Sequence, residues 1–449
     1  MRNTIFFGVS IVAALLVFAL ARALNNDYLF FAGYTVVQFV VLATAWNILG
    51  GYCGYVNFGT AAFFALGAYS TVFFHKTYPL PIPVLLVIAA TVSGLVGLGT
   101  GYLTLRLRGA FFSIATLAMA VVLQTFVVNW NYVGGSRGAY VIRPSDLEVF
   151  GVKLPYIQYL FLIMLVLAAV LIAIARAIER SKLGYGFATI RDDELAAEAS
   201  GVPTLKLKLI ATTLSGALMG MAGAPLPYYI GYLEPASAFG LPYAVNSIAM
   251  PMIGGTTIWF GPLIGSLLLG TLTQIATVTI SSAVNLLLVG LLLVGFVIVA
   301  PSGLVGLLQQ FLRAAAPTRV DARAVGLIMF ASYGFIAGLL EVVFSLAIIT
   351  ISPDPIGMAV AVVGLVLAAL LLVSAYGLMT LQSRSPLLAT FAFALSIAIG
   401  AVHIWLDPNS SVTYRGLGIA IAVAACGWFQ LRNVRQLYQP RLTDRQAVA

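Results

Sequence analysis

Residues 179–208 read ERSKLGYGFATIRDDELAAEASGVPTLKLK, a long, densely charged stretch with apolar runs on both sides. Charged side chains are costly inside a bilayer, so a segment of this kind between two apolar runs lies in water. Its own pattern is helical. Arg191, Glu194 and Glu198 fall at i, i+3 and i+7, so they share one face of a helix expected around 190–199. Ala196 and Ala197 favour helix, and Gly201 stands where a C-terminal cap belongs.

The sequence on either side of this island sets the class. Of the 449 residues, 61% are hydrophobic and only 8% charged, where a soluble domain carries roughly 25% charged residues. Mean hydropathy is +1.04. The chain reads as an all-α integral membrane protein, a polytopic helical bundle. Spans are expected near 4–22, 28–49, 57–74, 82–104, 109–129, 157–178, 207–230, 242–256, 261–281 and 284–300, then 324–351, 356–382, 386–406 and 412–431. The longer ones reach the ~20 apolar residues that a bilayer requires. The segment 242–256 is short and flanked by Gly and Pro, the mark of a half-helix or re-entrant piece.

The basic residues orient these spans. With the N-terminus in the cytoplasm, Arg22, Lys76, Arg137, Arg143, Lys153 and Arg415 fall outside, and the remaining 17 of the 23 fall inside. That is the asymmetry expected of cytoplasmic loops, and it accounts for the net charge of +9 without nucleic acid. Ala19, Leu20 and Ala21 imitate a signal-peptide cleavage site, but the charge count works with the first span retained. The two cysteines, Cys53 and Cys426, are far apart in or beside apolar spans and read as small buried hydrophobes. No Lys stands in a P-loop context, so no nucleotide site is encoded and no cofactor is expected on this chain.

A composition shift divides the chain. Residues 1–313 hold ten expected spans. The stretch 314–323, AAAPTRVDAR, is a polar, Pro-containing linker. Residues 324–431 hold four more spans, and 432–449 form a basic tail expected in the cytoplasm near anionic lipid.

Several stretches in the first three hundred positions carry a resemblance. They are Asn47–Tyr52 with Val56–Tyr69, Leu105–Phe112 with Ile114–Ala118, and Gly134-Gly135-Ser136. Within the island they are Gly184, Ala188, Ile190–Glu194, Ala196, Ala197 and Gly201. Gly254-Gly255, Gly261-Pro262, Gly265 and Ala300–Leu304 complete the set. In order and in place, these resemble the permease subunits of branched-chain amino acid ABC importers, LivM-type. The chain departs from that pattern at Arg137, where the family commonly has an acidic or amide residue, and in its last 130 or so positions.

The resemblance implies a bacterial inner-membrane permease with both termini cytoplasmic. It implies a homologous permease as heterodimer partner, two cytoplasmic ATPases that use the ATP and Mg, and a periplasmic substrate-binding protein. The ATPases would dock on the loop 179–208, through Gly184, Ile190, Arg191, Asp192, Glu194, Ala197, Glu198 and Gly201. In this reading Arg191, Glu194 and Glu198 make rim contacts, and Ile190 and Leu195 are apolar anchors. The implied cargo is leucine, isoleucine and valine, with urea or short amides and aromatic acids as alternatives.

Polar residues within spans are candidates for the translocation path: Gln38, Asn47, Asn57, Gln124 and Asn246, with Thr212, Thr213 and Ser247. Their amide and hydroxyl groups bind a zwitterion or a neighbouring helix equally well. A secondary transporter is the alternative, but no carboxylate lies mid-span in the first ten spans. A membrane enzyme is the third reading, with only His75 and His403 as histidines. In the C-terminal bundle Glu341 and His403 lie at equal depth, each about 25 Å from its span's inner end, a geometry that admits a hydrogen bond between them, with separate packing contacts or interfacial exposure as the competing readings.

Overall fold

Backbone groups have no water to bond in hydrocarbon, so apolar runs of about 20 residues become helices. The chain takes that course in the computed structural model. The structure describes residues 2–24, 26–78, 80–142, 147–149, 152–279 and 355–379, together with 290, 303–306 and scattered positions between 334 and 397. The chain divides into two compact units, Met1–Gln274 with Leu292–Val305, and Ile275–Leu291 with Gly306–Ala449.

The first unit opens with α1 (Arg2–Ala23), α2 (Asp27–Asn47), α3 (Thr60–Thr77), α4 (Ile82–Thr104), α5 (Ala110–Val128) and α6 (Tyr156–Glu179). Two short helices follow, α7 (Lys182–Asp192) and α8 (Glu194–Ala199), then α9 (Thr204–Gly223) and α10 (Leu226–Ile230). It closes with α11 (Pro235–Ala238), α12 (Leu241–Gly254) and most of α13 (Gly261–Thr279). Among the described residues, six helical stretches are long and apolar enough to cross a membrane: Thr4–Ala23, Asp27–Tyr52, Ile82–Thr104, Ala110–Val128, Tyr156–Glu179 and Thr204–Ile230. The protein is a polytopic helical membrane protein.

Its core is packed by backbone approach. Apolar side chains gain nothing by leaving lipid for one another, so small residues that admit close contact hold the helices together. Gly67 of α3 lies on the carbonyl of Gly220 in α9, and Gly223 lies on the carbonyl of Phe64. Gly94, Gly97 and Gly101 form one face of α4 against Thr212 and Ala217 of α9; a Cβ on any of them would come within 3.1–3.2 Å of that helix. Ser93 of α4 donates to the Phe63 carbonyl at 3.1 Å. Helix α3 is therefore wrapped by α4, α9 and α12, and nearly its whole length is buried. That burial encloses Tyr69 and Thr71 within it.

Three elements differ from the sequence expectation, and a fourth, the short segment 242–256, keeps to it. Helix α2 runs past Asn47 into a wider turn, Ile48–Tyr52, because Gly50 and Gly51 sit directly against the Trp46 and Asn47 side chains. The Trp46 indole donates to the Asn57 carbonyl at 2.9 Å and pins the connection that returns. As a result the span expected from 57 begins as helix only at Thr60. Pro225 separates α9 from α10. The segment expected at 242–256 is α12, 14 residues with Pro251 inside it, about 21 Å long and so short of a bilayer core.

Away from the charged loop, Ala139–Tyr140 (β1) and Leu147–Val149 (β2) are joined by Val152–Leu154 (β3) and Tyr232–Leu233 (β4). β1 pairs antiparallel with β4, and β2 with β3. In the second unit the helix Pro355–Met379 matches the span expected at 356–382. Glu341 is half-buried there, facing Gly364 beside Ser345. His403 lies outside the described residues, as do the span expected at 412–431, that at 284–300 apart from Gly290, and most of 324–351 and 386–406.

Candidate functional site

The charged island folds as two helices. Ser181 accepts from the Gly184 amide at 3.3 Å and starts α7. Gly184 rests on the Ile178 carbonyl, a contact that lets α7 turn tightly off the end of α6. Helix α7 buries Gly184, Phe187 and Ile190 on one face, against α6, α9 and the turn after α2. The chain then extends at Asp193, whose carboxylate accepts from the Leu195 amide at 2.9 Å and the Ala196 amide at 3.1 Å. This N-cap starts α8 and breaks the single helix expected over 190–199. Helix α8 turns Ala197 inward, and Gly201 follows it at φ +81°, a left-handed position that favours glycine. Arg191, Glu194 and Glu198 consequently do not share one face.

Glu194 points into the protein. Its carboxylate accepts from the Lys208 ammonium at 2.7 Å and from the Tyr55 hydroxyl at 2.5 Å. The Arg108 guanidinium lies 3.6 Å from Glu194 and 3.5 Å from Glu198, and the Thr204 hydroxyl donates to Glu198 at 2.8 Å. Lys208 is 3% exposed. It also donates to the Tyr55 hydroxyl at 3.1 Å and to the Leu105 carbonyl at 3.2 Å. A buried ammonium is tolerated when its donors are filled, and here three acceptors surround it.

The electrostatics follow from that geometry. Burial pushes the Glu194 carboxyl upward, but hydrogen bonds from Lys208 and Tyr55, with the charges of Lys208 and Arg108, hold it below the usual carboxylate value. Burial and the neighbouring Glu194 carboxylate push the Tyr55 phenol well up. Burial pushes the Cys53 thiol up to about 12, which leaves it inert. A cavity of about 460 Å³ opens beside the cluster, lined by Cys53, Tyr55, Arg108, Ser113, Arg191 and Glu194 among others. Arg191 packs on Gly54 and pairs with Asp192 at 3.1 Å.

The outer surface of the loop is different. Tyr185 is 70% exposed and Leu195 64% exposed, both on a segment whose own interior is already filled by Phe187, Ile190 and Ala197. Ile190, expected as an outward anchor, is turned inward at 3% exposure. Sequence reasoning did not single out Tyr55, Arg108 or Lys208. One signal was present, a lysine inside the otherwise apolar run from Leu207 to Leu218.

Residues 28–297 match the family model described as the branched-chain amino acid transport system / permease component. The chain belongs to this family. Among curated relatives, the high-affinity branched-chain amino acid transport system permease proteins LivM of Salmonella typhimurium and Escherichia coli are each 26% identical over 253 residues. That alignment covers 51% of this chain and 59% of each relative, so the match spans little more than half of their length. The probable branched-chain amino acid transport permease protein LivH of Methanocaldococcus jannaschii is 28% identical over 242 residues, 51% of this chain and 73% of its own. No solved structure matches the chain.

The polar residues expected along the translocation path occupy distinct settings. Gln38 donates to the Tyr34 hydroxyl at 3.2 Å and to the Ala222 carbonyl at 3.3 Å, tying α2 to α9. The Asn57 side chain accepts from the Gly59 amide at 2.7 Å and shapes the connection into α3. Asn47 donates to the Thr256 carbonyl at 2.9 Å, while its own carbonyl oxygen is buried with no hydrogen-bond partner. Asn246 on α12 likewise keeps a buried, unpartnered carbonyl oxygen, and Thr213 an unpartnered hydroxyl. Gln124 is half-buried on α5. Thr212 and Ser247 bond back to the Lys208 and Ala244 carbonyls of their own helices.

Proposed function

We propose that this chain is a permease subunit of an ATP-driven importer, carrying branched-chain amino acids or a related small polar solute across a bacterial inner membrane. It works with a homologous permease, two cytoplasmic ATPases and a periplasmic binding protein. The observation that carries this reading is the pair of exposed apolar side chains, Tyr185 and Leu195, on a charged loop that is otherwise internally satisfied. Large apolar side chains left exposed on a polar loop fit a docking surface. Arg191 and Asp192 rim that surface, Gly184 and Gly201 set its ends, and Ala197 and Ile190 support it from beneath. Glu194 braces the loop from within, and Glu198 ties it to Arg108 and Thr204 at the surface.

In this reading ATP draws the ATPases together, the docked loop moves with them, and the spans change between outward- and inward-facing states. Both termini and the loop lie in the cytoplasm, and fourteen helical segments, ten in residues 1–313 and four in 324–431, build the membrane domain, with α12 too short to cross on its own. The unpartnered oxygens of Asn47 and Asn246 offer acceptors to the ammonium group of a passing amino acid, and Gln38, Asn57 and Gln124 line the same route. Urea, short amides and aromatic acids suit the same mechanism.

The test is a mild-detergent pull-down from native membranes, with the eluate assayed for ATPase activity. The intact chain is expected to bring activity with it. Tyr185→Ala/Leu195→Ala is expected to lose most of it, since an anchor residue is worth about 2 kcal/mol or more, roughly 30-fold. Equal activity from both preparations would sink the docking assignment, and none from either would sink the ATP-driven reading.

A further inference from the structure

Lys208 stands at a junction. Its ammonium contacts Glu194 of α8, Tyr55 of the connection before α3, and the Leu105 carbonyl at the end of α4. It belongs itself to the first turns of α9. Four separate elements therefore meet at one buried charge. Two of them, the stretch 53–59 and the stretch 105–109, lead directly into α3 and α5. Tyr55 closes the junction by donating to the other oxygen of the same Glu194 carboxylate.

We propose that Lys208 is a positioning residue that transmits movement of the charged loop to α3, α4 and α5, with Tyr55 as a separate limb toward α3. This rests on the coupling role proposed for the loop, and it assigns the transmission to buried groups rather than to the exposed ones. Packing alone transmits a push but slips under a pull. An ion pair with shared hydrogen bonds resists both, because separating a buried carboxylate from its ammonium leaves two unpaired charges. Helix α8 has only one buried apolar residue, Ala197, so the charged junction is its main hold on the membrane helices.

The experiment is hydrogen exchange by mass spectrometry on the complex purified with its ATPase partner, with and without ATP, Mg and vanadate. In the unmodified complex, nucleotide is expected to change exchange in 182–199, 53–59 and 105–109 together. With Lys208→Met the change is expected to persist in 182–199 and in 53–59, which Tyr55 still ties to Glu194, and to shrink in 105–109, where the half-exposed Arg108 is the remaining link to α8. With Tyr55→Phe, a conservative change that stands even if Lys208→Met does not fold, it is expected to disappear from 53–59 alone. A response that reaches both segments undiminished in the two variants would overturn the inference while leaving the docking role intact. No nucleotide response anywhere in the unmodified complex would overturn the docking role and the inference with it.

Discussion

Glu194 governs how the brace responds to pH. Its carboxyl titrates below the usual value, so its bonds contribute fully above about pH 4.3 and are lost as pH falls through the depressed value. The difference in thermal stability between the wild type and Glu194→Gln should stay flat from about pH 8 to pH 5 and shrink only under about pH 4.3. A difference that fades near neutral pH would show that Lys208 and Arg108 do not hold the carboxylate charged. Glycine packing is equally local. A methyl group at Gly67 would meet the Gly220 carbonyl, whereas Gly99 faces open space. Gly67→Ala is expected to lower stability by about 1–3 kcal/mol, and Gly99→Ala to leave the melting temperature in detergent unchanged.

Helix α8 is six residues long, too short to persist without its cap. The Asp193 carboxylate fills two of its free amides, and replacing such a cap by alanine costs about 1 kcal/mol. Asp193→Ala should therefore speed amide exchange at residues 195–197 about fivefold, while α7, held by Phe187 and Ile190, keeps its protection. Equal acceleration in both helices would mean that they open as one unit. The same reasoning explains why a single helix was expected there. The i, i+3, i+7 pattern is present in the sequence, but the competing bond from Asp193 to the following amides is also local and takes precedence.

The first unit has a polarity that labelling can read. Helix α6, 24 residues and about 36 Å long, connects the strands β1 to β3 to the charged loop, and α9 with α10 connects that loop to β4. A cysteine at Leu195 and one at Tyr140 should react with a membrane-impermeant maleimide from opposite sides of sealed vesicles. Both positions are exposed, at 64% and 78%, and the buried Cys53 should stay silent in either case. Labelling of both from one side would break the proposed topology.

By itself, the sequence determined that this is a polytopic helical membrane protein and where its charged loop lies. Span length and hydropathy are additive properties of neighbouring residues, so 82–104 and 356–382 are legible from composition alone. The family was legible too, from a resemblance carried by short strings such as Gly254-Gly255 and Ile190–Glu194. Only the tertiary structure decided which way the loop's charges face. Lys208 and Tyr55 lie 153 residues apart in the chain, and Arg108 comes from a third element. Whether a carboxylate serves as rim or as brace depends on what the fold brings within 3 Å of it, and no local pattern encodes that distance.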